Sequence, residues 1–386
     1  MRRWLALALG LVVGFALAEA GARLLAPGPA AEELLGAIGG RLDDPILGYR
    51  TAPGSGENDT RGHRNLRGLA RANVVALGDS QTWGVNAKID ETWPAVLQQL
   101  SGKPVYNMGR GGYAVLQYLH QLDDALSLEP RWIVIAFYFG NDLYDAYSIA
   151  YDLEAHVARR HPEPAIRSQI ESSDYPNVQQ MFFDRIAYQR SSVRPLQWLR
   201  ENTALGRLVA QLTRRPADAS ADRAWAAAHP RDGFVYRGEN ISTVFHTAYR
   251  LAAVDTSQAK IREGIRITHQ ALLEIASRVA REPDTELLVV LLPTKERGFV
   301  KAVAASGIPA PASFVQSVSQ EARVADDLTA LMDEHGIRHL DMLPALERAV
   351  ARGEAIFPTN VDGHFTADGY RLIAHEVARR LDGAGP

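Results

Sequence analysis

Five short apolar runs, at residues 74–77, 104–106, 132–137, 286–292 and 337–340, alternate with stretches of helical periodicity. That alternation constrains the chain more than any other feature. Short runs rich in Val, Ile and Leu without polar alternation are strands buried on both faces, and such strands belong to parallel sheets covered by helices. The intervening stretches carry apolar residues at helical spacing. Trp93, Val96, Leu97 and Leu100 form one stripe, and Leu116, Leu119, Leu122 and Leu126 another. Ile261, Ile265, Leu272, Ile275 and Val279 form a third, and residues 322–335 have the same character. Tyr370, Ile373, Ala374, Val377 and Leu381 form a last stripe, with Thr366 as its N-cap. The expected fold is α/β, a three-layer doubly wound parallel sheet.

In such a sheet, chemistry collects beyond the carboxyl ends of the strands. The first run ends in Gly78-Asp79-Ser80, where glycine permits a sharp turn and leaves Ser80 at the sheet's mouth. The second is followed by Asn107-Met108-Gly109-Arg110-Gly111-Gly112-Tyr113, and the third by Phe139-Gly140-Asn141-Asp142. Pro293-Thr294-Lys295-Glu296 ends the fourth at the same edge. Asp362-Gly363-His364 lies just before the last helix. A serine hydroxyl needs a base to become nucleophilic, and an imidazole base needs a carboxylate to fix its tautomer. Asp362 and His364 are two apart, so in extended chain both side chains point the same way. Asp341, at the end of the fifth run, is the fallback acid. The histidines show no metal-ligand spacing and the chain has no cysteine, so neither a metal nor another cofactor is expected.

In this order the stretches bearing Ser80, Gly109, Asn141 and His364 resemble the four blocks of the SGNH (GDSL-type) hydrolase superfamily, from about residue 73 to 382. The resemblance implies a flavodoxin-like fold and a serine esterase that forms an acyl-enzyme on Ser80, with Asp362 and His364 completing the triad. It assigns the oxyanion hole to the backbone N–H groups of Ser80 and Gly109 and to the side-chain amide of Asn141. Asp79, Asn107 and Asp142 take supporting roles. The superfamily's common last block is Asp-x-x-His, whereas this chain has Asp-x-His. The shorter spacing occurs in related polysaccharide O-acetyltransferases and some membrane-anchored hydrolases, and it favours carbohydrate esters over plain lipids. Three functions follow: an esterase acting on acyl or acetyl esters of carbohydrate or lipid, an acyltransferase to a polysaccharide with the same site, and a non-catalytic assembly subunit.

The rest of the chain sets the context. Arg2-Arg3 followed by apolar residues 4–18 is an export pattern. Residues 1–25 are read as a cleaved signal or a retained membrane anchor, placing the remainder in the periplasm or otherwise outside the cytoplasm. Residues 26–72 are a linker and an irregular surface lead-in that includes His63, expected at the surface. The hydrolase domain spans 73–386, with a partly helical insertion over about 144–248 that forms a lid, a substrate wall or a separate packing unit. Within it, residues 193–212 are amphipathic. The formal net charge is −3 with no block of like charge, so nucleic acid is not an expected partner.

Overall fold

The computed structural model describes Gly14 and residues 40–178, 180–181, 219–238 and 241–383 of the 386. Apart from Gly14, the expected leader and linker at 1–39 lie outside the described residues, as does the amphipathic stretch at 193–212. Among the described residues no helix is long and apolar enough to cross a membrane.

The strands are β1 (Arg41–Asp44), β2 (Gly48–Thr51), β3 (Val74–Gly78), β4 (Val105–Asn107), β5 (Trp132–Tyr138), β6 (Phe234–Arg237), β7 (Ser242–Phe245), β8 (Glu286–Leu292) and β9 (His339–Asp341). The principal helices are α1 (Ser80–Trp83), α2 (Trp93–Ser101), α3 (Val115–His120), α4 (Asp142–Asp152), α5 (Thr247–Val254), α6 (Ala259–Val279), α7 (Ala312–Glu334), α8 (Leu343–Ala351) and α9 (Ala367–Asp382). The central sheet has the order β4-β3-β5-β8-β9, every pairing parallel. Counting only its own strands, this is the 2-1-3-4-5 order of flavodoxin-like folds. It is the three-layer α/β architecture expected from the sequence.

Alternate residues of each central strand feed opposite cores. Val75, Leu77, Ile133, Ile135, Phe137, Val289 and Leu291 face the layer holding α3, α4 and α6. Val74, Ala76, Val134, Ala136, Leu288, Val290 and Leu292 face the layer holding α2, α8 and α9. Continuous apolar runs arise because both faces are covered, which is also why periodicity alone did not reveal the faces. Thr366 caps α9 by accepting from Gly369 N–H at 3.3 Å. The stripe at 113–128 is two short helices, α3 and Leu122–Leu126, meeting at Gln121.

Two segments differ from expectation. The lead-in is ordered: β1 and β2 form an antiparallel hairpin, and Thr51, Asn58, Asp59 and Arg64 are buried. The early part of the 144–248 stretch belongs to the main core, because Tyr144, Tyr147, Ala150, Ile170 and Val178 pack there. Its later part supplies the β6–β7 hairpin and α5.

The α4–α6 crossing relies on a missing side chain. A Cβ on Gly264 would lie 2.0 Å from the carbonyl oxygen of Leu143. Both partners are backbone, so neither can yield cheaply. Gly264→Ala should therefore cost about 1–3 kcal/mol, as over-packing does. Urea unfolding checks this; an unchanged midpoint would mean the two helices separate freely.

Candidate active site

Ser80 opens α1 directly after β3, and Asn141 precedes α4 directly after β5. β3 lies between β4 and β5, where the chain's strand order reverses. At such a switch point the connections leave in opposite directions and open a crevice. The loop before α9 delivers His364 across that crevice. His364 Nε2 is 2.8 Å from Ser80 Oγ, and His364 Nδ1 is 2.6 Å from Asp362 Oδ1. The same Asp362 oxygen accepts His364 N–H at 2.9 Å. The two-residue spacing thus closes a small ring of backbone and imidazole around one carboxylate oxygen.

The second oxygen, Asp362 Oδ2, accepts the side-chain amide of Asn86 at 2.8 Å. Asn86 is exposed and sits at φ +69°, a left-handed conformation that asparagine tolerates better than most residues. Sequence reasoning missed Asn86. Its only signal was its place six residues beyond Ser80, in the loop after α1. Burial alone would raise the Asp362 carboxyl. Beside it His364, the two hydrogen bonds from that residue and the Asn86 amide prevail, holding it well below the usual carboxylate range. A depressed folded value stabilises the fold fully above the ordinary value of 3.8, and the contribution is lost as pH falls through the folded one. Asp341 takes no part in this chain. Its Oδ1 accepts Leu343 N–H at 2.8 Å, at the entry to α8.

Asp79 is fully buried beneath the nucleophile's turn. Its Oδ1 caps α1 through Gln81 N–H at 2.8 Å, and its Oδ2 lies 3.2 Å from Ser80 Oγ. Burial pushes its carboxyl up to about 6, against the Gln81 hydrogen bond and the nearby His364. Asp142 is buried too. Its Oδ2 accepts Tyr138 N–H at 3.1 Å and the Tyr118 hydroxyl at 3.2 Å, bracing the turn after β5. Burial, then the charge of Asp79, raise the Asp142 carboxyl well above the usual range.

The proposed oxyanion donors divide. Ser80 N–H has no internal partner among the described residues and lies at the amino end of α1. Asn141 donates one amide hydrogen to Asp145 Oδ2 at 2.6 Å, which fixes the amide plane and leaves the other hydrogen to the crevice. Asp145 is a second residue missed from sequence.

Gly109 requires correction. Its N–H donates to Asn107 Oδ1 at 2.8 Å within the buried part of the loop. Glycine is needed there for close approach: a Cβ would lie 2.5 Å from Trp83 N and 2.6 Å from the Thr82 carbonyl carbon. Asn107 also donates to Thr82 O at 2.9 Å, so the pair clamps the loop against α1. The part of this loop that comes up to the nucleophile is Gly111. A Cβ on Gly111 would lie 3.9 Å from Ser80 Cβ, and the Gly111 N–H has no internal partner among the described residues.

The lead-in holds this loop from outside. Tyr49 donates its hydroxyl to Gly111 O at 2.5 Å, and Tyr113 returns a hydroxyl to Tyr49 O. Arg110 Nη2 donates to Gly62 O at 2.9 Å. His63 is not a surface histidine. It is buried edge-on against Tyr106, 3.3 Å from Arg110. Burial, then the Arg110 charge, depress its pKa to about 3, so it is neutral near pH 7. No group of acidic and imidazole side chains able to hold a metal ion occurs among the described residues.

Fold and site together define an α/β hydrolase whose serine, histidine and aspartate meet at a sheet's switch point. The chain belongs to the GDSL-like lipase/acylhydrolase family, whose profile it matches over residues 76–372. It is an SGNH-type esterase. Among solved structures it is similar to a lipolytic protein of the G-D-S-L family from Desulfitobacterium hafniense, at 14% identity and TM-score 0.37, covering 79% of this chain and 97% of that one. It is also similar to a catalytic mutant of the acetylxylan esterase Axe2 from Geobacillus stearothermophilus. That match has 11% identity and TM-score 0.38, covering 81% of this chain and 95% of that one. Among curated proteins none matches the chain.

The hydrogen-bond partners rank the candidate acids. Asp362→Asn keeps the shape but favours the wrong imidazole tautomer, so esterase turnover should fall by up to about 10⁴ at neutral pH. Asn86→Gly keeps the left-handed backbone and removes only one hydrogen bond, so a much smaller loss is expected. Asp341→Asn should leave turnover unchanged. Steady-state rates on one chromogenic ester settle the ranking; a reversed order would move the acid to Asp341.

Proposed function

We propose that the enzyme acts outside the cytoplasm on acyl or acetyl esters of carbohydrate or lipid, through an acyl-serine intermediate on Ser80. The observation carrying this reading is the unbroken chain from Asp362 through His364 to Ser80, with contacts of 2.6 and 2.8 Å. Ser80 Oγ attacks the ester carbonyl while its proton passes to His364 Nε2. The imidazolium formed is stabilised by Asp362. Negative charge gathers on the former carbonyl oxygen, where Ser80 N–H, the second Asn141 hydrogen and the Gly111 N–H supply donors. The alcohol leaves with the proton from His364. Water, deprotonated by the same imidazole, then releases the carboxylic acid and restores Ser80.

Acyl transfer to a polysaccharide hydroxyl is the second reading, favoured by the Asp362-x-His364 spacing. It uses the same steps with a sugar hydroxyl in place of water. A non-catalytic role would leave the three aligned side chains without purpose. The extracytoplasmic placement, with membrane association through the amino-terminal segment, is supported by Arg2-Arg3 and the apolar residues after them.

Chromogenic acetyl and longer-chain esters, offered with and without polysaccharide, separate the two reactions. Ser80→Ala should abolish turnover, and Asn141→Ala should cost about 10²–10³ in rate, as one lost oxyanion donor does. Full activity in Ser80→Ala would end the serine mechanism. Acyl groups appearing on the polysaccharide would establish transfer. A reporter fused after Leu25 should be active only outside the cytoplasm.

A further inference from the structure

The sequence placed Pro293-Thr294-Lys295-Glu296 at the edge of the sheet that bears the site, but the triad and oxyanion donors leave Lys295 unused. Lys295 is 1% exposed. Its ammonium faces backbone carbonyls rather than a carboxylate partner: Asn360 O at 2.6 Å, Pro358 O at 3.0 Å, Val244 O at 3.1 Å and Asp362 O at 3.2 Å. Three of these belong to the loop that carries Asp362. The fourth belongs to β7, the hairpin strand from the end of the long insertion.

Other groups hold the same loop from other sides. Thr243 Oγ1 donates to Pro358 O at 2.9 Å, and Val361 N–H donates to Asp222 Oδ2 at 2.9 Å. Tyr138 reaches Gly363 O at 3.3 Å, and Gln81 bonds both Gly363 O and Phe365 N–H at 3.2 Å. Among the described residues, Lys295 alone gathers three carbonyls of the loop at one point. Carbonyls that converge on one spot repel one another, because each aims its negative end there. A buried cation with several donors removes that repulsion, and ammonium supplies three N–H groups on a compact charge.

We infer that Lys295 is a positioning residue, a buried ammonium that draws the carbonyls of residues 358, 360 and 362 together and so sets Asp362 and His364 at hydrogen-bonding distance from Ser80. The inference rests on the proposed roles of those three residues. Burial pushes Lys295 down to about 7, opposed by the charges of Glu296 and Asp362 and aided by Arg250. Arg250 is itself ion-paired with Glu296 and donates to Gly140 O at 3.2 Å, so the cation next to Lys295 serves the turn bearing Asn141. The β6–β7 hairpin thus forms part of the scaffold that holds the triad loop.

Lys295→Met keeps the length of the side chain and removes the donors and the charge. The full chain should stay folded and bind ester with an unchanged KM, while kcat falls by up to about 10², as for a misplacement near 1 Å. Lys295→Ala deletes the side chain beyond Cβ, a volume that n-propylammonium matches. Adding n-propylammonium should restore several-fold of the lost kcat, and n-propanol, of the same size but uncharged, should not. Ser80→Ala, measured alongside, tests the underlying reading. If Ser80→Ala stays active, the serine mechanism itself has failed. If Ser80→Ala is dead while folded Lys295→Met keeps the parent kcat, only the positioning role is overturned. Loss of folding in both lysine variants without recovery by n-propylammonium would likewise overturn it, making Lys295 a residue of the fold alone.

Discussion

The site depends on one long-range closure, the meeting of the 358–365 loop with the turn after β3. Ser80 and His364 are separated by most of the chain, yet their side chains stand 2.8 Å apart. The switch point supplies the space for that meeting and the nucleophile's half of it. No strand or helix carries the other half, because the histidine loop has no regular structure before α9. Its geometry comes from side chains reaching its backbone: Gln81 from α1, Tyr138 from β5, Thr243 from β7 and Lys295 from the end of β8. Each comes from an element anchored in one of the two cores, so the loop inherits their rigidity. Catalytic tolerances are of this order, since small displacements of a positioned group cost large factors in rate.

Buried charge around the nucleophile follows a second logic. Asp79 and Asp142 are both inaccessible; burial raises both carboxyls, and the charge of Asp79 raises Asp142 further. The raised Asp142 carboxyl keeps negative charge low beneath the nucleophile's turn. Asp362 is treated in the opposite way. His364 and Asn86 hold it ionised, so that negative charge lies on the far side of the imidazole, where it stabilises the imidazolium. Three aspartates of like chemistry thus serve different ends, decided by burial and hydrogen-bond partners.

Legibility in the sequence tracked the locality of the signal. Buried parallel strands announce themselves as short apolar runs, so β3, β5 and β8 stood close to where they were expected. Ser80 was legible as a candidate at a strand end, and Asp362 and His364 by their residue types two apart before the last helix. Roles that depend on what a backbone group faces were not readable. Gly109 looked like an oxyanion donor, yet its N–H is taken by Asn107, two residues away. His63 looked exposed because its neighbours are polar. Those polar groups are turned inward: Asp59 accepts from Tyr106, Asn65 and the N–H groups of Arg61 and His63. A polar sequence buried through its own hydrogen bonds has the composition of a surface loop. Lys295 and Asn86 were hidden for a further reason, since their partners are remote in sequence and those of Lys295 are backbone carbonyls, three of them of otherwise unremarkable residues.

The short Asp-x-His spacing carries a structural cost that explains several of these contacts at once. With only Gly363 between them, Asp362 can serve both the backbone N–H and the ring of His364 through one oxygen. That local ring orients the imidazole cheaply. It also commits Oδ1 fully and turns Oδ2 outward, toward water. An outward carboxylate oxygen would rotate and take the imidazole with it unless something held it. Asn86 does so at 2.8 Å, from a left-handed position at the exposed rim of the crevice. The backbone beneath needs an equivalent restraint, and the carbonyls of residues 358, 360 and 362 turn toward Lys295. Shortening the spacing between acid and base thus moves the work of orientation from the acid's own loop to its neighbours, one on each side of it.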